Sequence, residues 1–180
     1  MRDVLNLWRQ PLGEVPGEVW ERTGLEVLIL AETGLMALPP EIVRLRRLVT
    51  LDLGHNELTS LPDELGGLTG LSGCLYLHDN RLRELWLRGN RIEHLPPSVA
   101  DLRELRHLEL RDNRLAEVPE PIAELPLLRQ VDLRGNRITR LPGWVARMPA
   151  LEKLDLRWNP CDPDPSLLAA LEERGCVVLT

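Results

Sequence analysis

Apolar residues recur in the frame Leu-x-x-Leu-x-Leu-x-x-Asn-x-Leu at Leu48 to Leu58 (LVTLDLGHNEL), Leu105 to Leu115 (LRHLELRDNRL) and Leu128 to Ile138 (LRQVDLRGNRI). The frame returns at Leu82 to Ile92 (LRELWLRGNRI) and at Leu25 to Leu35 (LEVLILAETGL), where Thr33 replaces Asn. It is looser at Arg2 to Leu12, where Gln10 takes that place. The Leu-x-Leu core predicts a short strand, because side chains alternate along extended chain: two leucines turn inward and the residue between them faces solvent. Asn90, Asn113, Asn136 and Asn159 are each 23 residues apart, so the strand is one part of a repeating unit.

Each unit has a second half. Leu38-Pro39, Leu61-Pro62, Leu95-Pro96, Val118-Pro119 and Leu141-Pro142 are followed three residues later by Ile42, Leu65, Val99, Ile122 and Val145. Three residues further on stand Leu45, Leu68, Leu102, Leu125 and Met148. That spacing predicts 3₁₀ or short helical turns, each with its proline at the first position. Asn56, Asn80, Asn90, Asn113, Asn136 and Asn159 fall where the chain turns inward after the strand. An amide there both donates to and accepts from the backbone of adjacent coils, so the stack is expected to satisfy polar groups that the turn would bury. Asn80, beside the irregular spacing described below, is expected to contribute less than Asn113.

With both halves in place, the chain resembles the leucine-rich-repeat family. Its LPxxIxxLxxL half resembles the 23-residue class of Ras-group intracellular repeat proteins and bacterial relatives, over residues 2 to about 160. The resemblance implies an α/β right-handed solenoid, with the Leu-x-Leu segments as a concave parallel sheet and the Pro-led segments on the convex side. It also implies a non-catalytic scaffold or signalling module that binds a protein or peptide across the concave face, without a cofactor. The alternative is a recognition arm or fragment of a larger protein whose activity lies elsewhere.

The period breaks once. Asn56 and Asn80 are 24 residues apart, but Asn80 and Asn90 only 10, with no Leu-Pro half between them. An irregular junction is expected near residues 71–92, either a true interruption or the scar of a missing stretch. In the first coil Arg2 and Arg22 stand where leucines belong, which suits a terminal coil with a solvated face. After Asn159, the run 160–165 stops the lattice. Ser166 predicts a helix N-cap, 167–174 a helix closed by Gly175, and 176–179 a short strand. The expected organisation is a solenoid over 1–159 and a C-terminal cap over 160–180.

Composition narrows the function. The net charge is −6, which argues against nucleic acid or an anionic membrane held by general electrostatics. Residues 1–81 carry 7 Arg and 12 acids, whereas 82–180 carry 15 Lys plus Arg and 16 acids, so the second half is charge-dense but nearly neutral. No run has signal-peptide or membrane-span character, and a cytoplasmic, monomeric protein is expected. Cys74, Cys161 and Cys176 show no metal-ligand spacing. A Cys161–Cys176 bridge is conceivable, but reduced thiols are expected.

Candidate binding residues are those the strands aim outward. Between the leucines lie Asn6, Ile29, Asp52, Tyr76, Trp86, Glu109, Asp132 and Asp155; two positions on lie Trp8, Ala31, Gly54, His78, Arg88, Arg111, Arg134 and Arg157. Tyr76 and Trp86 form an aromatic centre with His55 and His78 beside it, and an Arg column runs next to an acidic one. These are the residue types of binding hot spots. Two plainer roles compete: the Arg and Asp columns neutralising one another, and the aromatics covering the junction. Trp20 and Trp144, on the other half of the coil, are expected to be packing residues. A metal-dependent hydrolase using His55 and His78 with Asp79 is the remaining alternative. Cys74, four residues before His78 along the strand, is about 13 Å away and too far for a thiolate pair.

Overall fold

The structure, a computed structural model, describes residues 2–68, 70–71 and 75–180. The leucine frame forms strands β1 (Val4–Asn6), β2 (Val27–Ile29), β3 (Thr50–Asp52), β4 (Leu75–Tyr76), β5 (Glu84–Trp86), β6 (His107–Glu109), β7 (Gln130–Asp132) and β8 (Lys153–Asp155). A ninth strand, β9 (Val177–Leu179), ends the chain. Neighbours pair in parallel with the inward residues in register: Leu5, Leu28, Leu51 and Leu75 in one row, Leu85, Leu108, Val131, Leu154 and Val178 in another. Each row is an aliphatic spine whose members are shielded from both sides by their copies, as stacked repeats require.

The sheet expected to run the length of the solenoid is divided. β1 to β4 form one sheet and β5 to β9 a second. The hydrophobic core is nevertheless a single cluster from Val15 to Cys176. The second half is a 3₁₀ turn in the coils of β1, β2, β3, β5, β6 and β7, at Gly17–Glu21, Pro40–Arg44, Asp63–Gly67, Pro97–Asp101, Glu120–Glu124 and Gly143–Arg147. The Leu-Pro proline precedes each of these turns instead of opening it, with extended backbone at Pro39, Pro62, Pro96, Pro119 and Pro142. Its fixed φ sets the approach to the turn, and where a second proline follows, as at Pro40, Pro97 and Pro121, that residue lies inside it.

The asparagine amides show what the 10-residue junction does. Asn113 accepts from the Ile92 N–H at 3.1 Å and donates to the carbonyls of Leu87 (2.8 Å) and Leu110 (2.9 Å), thereby joining two coils. Asn56, Asn136 and Asn159 repeat the scheme. Asn80 does so as well, accepting from the Leu58 N–H and donating to the Leu53 and Leu77 carbonyls, although it is less buried than Asn113. The defect falls at Asn90. Its amide nitrogen reaches only the Leu87 carbonyl of its own coil, and its buried Oδ1 has no partner among the described residues. Each ladder amide reaches back to the preceding coil, and between β4 and β5 there is no complete coil to reach. In place of one, the 3₁₀ turn Asp63–Gly67 packs against β5: a Cβ on Gly66 would lie 2.7 Å from the Arg88 carbonyl oxygen.

Beyond the last repeat, α1 (Pro165–Glu173) packs on β9 and on the turn Gly143–Arg147. Its N-cap is Asp164 and not Ser166: the Asp164 carboxylate accepts from the Ser166 N–H at 2.8 Å, and Pro165 takes the first helical position. Gly175, with φ +80°, ends the helix as expected. Cys161 and Cys176 are free thiols; burial pushes both thiol pKa values up, as suits unreactive packing residues. Trp20 is buried, and Trp144 is partly buried against the core. No helix among the described residues is long and apolar enough to cross a membrane.

Candidate functional site

Outward side chains sort by sheet. On the second sheet the acidic and basic columns are linked within the last two coils, whereas Arg111 pairs with Asp112 beside it and not with Glu109. Arg134 Nε donates to both Asp132 oxygens, at 3.0 and 2.9 Å, and Arg157 Nε donates to Asp155 Oδ1 at 3.0 Å. Arg134 also reaches Asp155 across coils at 3.5 Å. Each Asp accepts a second bond from the backbone N–H two residues on, Arg134 and Arg157 respectively. This column therefore closes the strand end as well as presenting charge. Asp155, expected on the open face, is only 3% exposed and is enclosed by its two arginines.

Arg88 differs. Its coil carries Trp86 where later coils carry an acid, and among the described residues the exposed Arg88 guanidinium has no ion pair or hydrogen bond. Trp86 is 37% exposed, its indole N–H donating to Glu84 at 3.2 Å. It forms one wall of a shallow depression of about 120 Å³ completed by His107, Glu109, Gln130, Asp132, Lys153 and Asp155. His107, Gln130 and Lys153 open their strands and form a further outward column, which strand alternation places on the same face as Glu109, Asp132 and Asp155. Trp158, 67% exposed, lies at the far end with the guanidiniums of Arg111, Arg134 and Arg157 at 5.8, 5.8 and 5.9 Å from its ring.

The expected aromatic centre is divided with the sheets. Tyr76 closes β4, its ring 6.4 Å from that of His78, and His78 is in turn 4.6 Å from His55. Trp86 belongs to the second sheet. His55 Nδ1 lies 2.8 Å from Asp79 Oδ2. Cys74 lies outside the described residues. A surface depression of about 850 Å³ lies off the sheets along the Leu-Pro segments, between residues such as Glu93, Glu117, Glu120, Arg137, Arg140 and Trp144. Its mixed charges converge on no focal group.

Two carboxyls on this face titrate abnormally. Burial, and then the Asp132 charge, raise the Glu109 pKa above the usual glutamate value, against the pull of Arg134, Arg88 and Arg111. Burial acts upward on Asp155 too, but hydrogen bonds and charge from Arg157, with the charge of Arg134, hold it below the usual aspartate value. The ionised Glu109 is disfavoured in the fold, so stability falls as pH rises from the ordinary glutamate value through the raised one. The Asp155 contribution is present above the ordinary carboxylate range and is lost as pH falls through its lowered value. Glu109→Gln is therefore expected to match or exceed wild type in urea denaturation at about pH 7, whereas Asp155→Asn is weaker there and approaches wild type as pH falls below the ordinary aspartate range.

Known proteins share this arrangement of coils. A profile described as "Leucine rich repeat" matches residues 23–82, 80–138 and 103–160. The mouse (Mus musculus) leucine-rich repeat and calponin homology domain-containing protein 1 is 31% identical over 100 residues, which is 56% of this chain and 12% of the mouse protein. A solved leucine-rich-repeat protein of Leptospira interrogans is 29% identical, with TM-score 0.50, over 99% of this chain and 48% of its own. The leucine-rich-repeat ectodomain of a plant membrane receptor kinase from Arabidopsis thaliana, solved in complex with Casparian strip integrity factor 2, is 28% identical over 98% of this chain and 23% of its own, with TM-score 0.45. This chain thus spans less than half the length of each of these proteins. With the profile covering most of the repeats, and with the leucine spines and asparagine ladder accounting for the pattern it matches, the chain belongs to the leucine-rich-repeat family, whose stacked coils commonly serve protein or peptide binding.

Proposed function

We propose that this chain is a non-catalytic recognition module that holds a protein or peptide on the outward face of its second sheet, the side that is concave in this family. One observation carries the proposal: a half-exposed tryptophan, Trp86, walls a shallow depression of mixed polarity and stands two residues from a guanidinium, Arg88, that has no ion pair or hydrogen bond among the described residues. A tryptophan next to a guanidinium without an ion pair is the composition of a binding hot spot: the ring gains when a partner removes water from it, and the cation gains where the partner supplies a carboxylate that offsets its lost hydration. The fitting partner presents an apolar side chain for Trp86 and a carboxylate for Arg88. The paired Arg134 and Arg157 contribute less, because a partner must compete with Asp132 and Asp155.

The test is a comparison of affinities for a partner recovered with the wild-type chain. Trp86→Ala is expected to weaken binding by about 2 kcal/mol, mainly through faster dissociation, with Arg88→Ala next and Arg134→Ala smaller. Glu120→Ala, on the Leu-Pro side, is expected to change nothing. Affinity that survives Trp86→Ala and falls with Glu120→Ala would move the site to the large depression along the Leu-Pro segments. The lengths of the relatives favour a second arrangement, in which the module is the recognition arm of a longer protein; an activity assay of the full gene product distinguishes it.

A further inference from the structure

On the first sheet, two consecutive coils place Gly54-His55 and His78-Asp79 at equivalent repeat positions, so His55 and Asp79 are neighbours across the ladder and so are Gly54 and His78. In every other coil the Gly54 position carries a side chain, among them Trp8, Ala31, Arg111 and Arg134. Without one at Gly54, the His78 ring lies down over the Gly54 backbone: a Cβ there would sit 2.5 Å from His78 Cε1 and 2.7 Å from Nε2. The ring is thereby brought edge-on to His55, at 4.6 Å between centroids. His78 Nδ1 is buried without a hydrogen-bond partner among the described residues. His55 and Asp79 both have positive φ, 53° and 52°. One ligand atom from each of His55, His78 and Asp79 lies within 4.8 Å of the others.

We propose that His55, His78 and Asp79 bind one divalent transition-metal ion, with zinc the best match. Two imidazoles and a carboxylate form a borderline-soft set that suits zinc over calcium or magnesium, which prefer oxygen ligands alone. Bonds of about 2.0–2.2 Å to a tetrahedral ion place donor atoms about 3.3 Å apart, so the His55–Asp79 contact opens slightly and the remaining separations close by side-chain rotation. Three protein ligands leave one position open toward the depression of about 350 Å³ that His55 and His78 share with Asn6, Trp8, Glu32 and Asp52. The ion clamps β3 to β4, the last pair before the sheet divides. This role is independent of partner binding on the second sheet and requires no hydrolysis.

Isothermal titration of the whole chain with Zn²⁺ tests the proposal. One ion per chain at micromolar or tighter affinity is expected, together with a rise in melting temperature. His55→Ala and Asp79→Asn alter exposed side chains, so the fold is expected to survive them while affinity falls at least about tenfold. Gly54→Ala replaces no ligand yet displaces the His78 ring, so it is expected to have a similar effect. His107→Ala, on the other sheet, is expected to bind as wild type. Absence of saturable binding to the wild type, or binding that survives His55→Ala combined with His78→Ala, would overturn the proposal. Unchanged binding by Gly54→Ala would remove His78 from the site.

Discussion

Asn113→Ala is expected to lower the free energy of unfolding by about 3 kcal/mol, and Asn90→Ala by about 1 kcal/mol. The two residues occupy the same repeat position and are buried to a similar degree, so size and burial do not separate them. Their partners do. Removing the Asn113 amide strands the Ile92 N–H and takes one of two side-chain donors from each of the Leu87 and Leu110 carbonyls, which keep those of Asn90 and Asn136. Removing Asn90 costs a single bond to Leu87 and also eliminates a buried oxygen that already lacks a partner. Urea denaturation of the two variants measures the difference. Equal losses would mean that Asn90 is satisfied by a neighbour across the junction and that the ladder is unbroken.

Gly66→Ala is expected to cost about 2 kcal/mol through overpacking, although alanine normally favours a helical turn. The added methyl would meet the Arg88 carbonyl at 2.7 Å, and because that is backbone two residues beyond β5, relief requires moving main chain that continues the strand. Gly143→Ala is the control. It also lies in a 3₁₀ turn of this solenoid, but nothing stands within 4 Å of its added Cβ. It is expected to be neutral, or to stabilise by about 0.5 kcal/mol through a less flexible unfolded chain. A harmless Gly66→Ala would show that the turn Asp63–Gly67 does not seat β5, and the account of how the junction is bridged would fail.

The strands were legible in the sequence because Leu-x-Leu alternation is local, and parallel stacking of equal units turns local pattern into register. The division of the sheet was legible only as a spacing, 10 residues between Asn80 and Asn90. Its consequence was assigned to Asn80, whereas the ladder amides reach backward and the orphan is the first residue after the gap. The helix cap was misplaced by two residues because Asp164 and Ser166 are both good caps, and Pro165 at the first helical position decides between them. For the site, alternation identified Trp86 and the two charged columns. It did not reveal how far Arg134 and Arg157 fold back on their own acids, which depends on side-chain reach within and between coils. Arg88 differs in plain view, since its coil has Trp86 where Asp132 and Asp155 bind the arginines of the last two coils, and Gly89 where Asp112 binds Arg111.

The chain has five tryptophans, of which Trp8, Trp86 and Trp158 are exposed along the sheet side while Trp20 and Trp144 pack on the Leu-Pro half. Their indole N–H resonances in a nitrogen-edited NMR spectrum, once assigned by substitution, report directly on which face a partner covers. Addition of the partner is expected to shift Trp86 most and to leave Trp20 and Trp144 where they were. A partner that shifts Trp144 while Trp86 stays unmoved would contradict recognition on the second sheet.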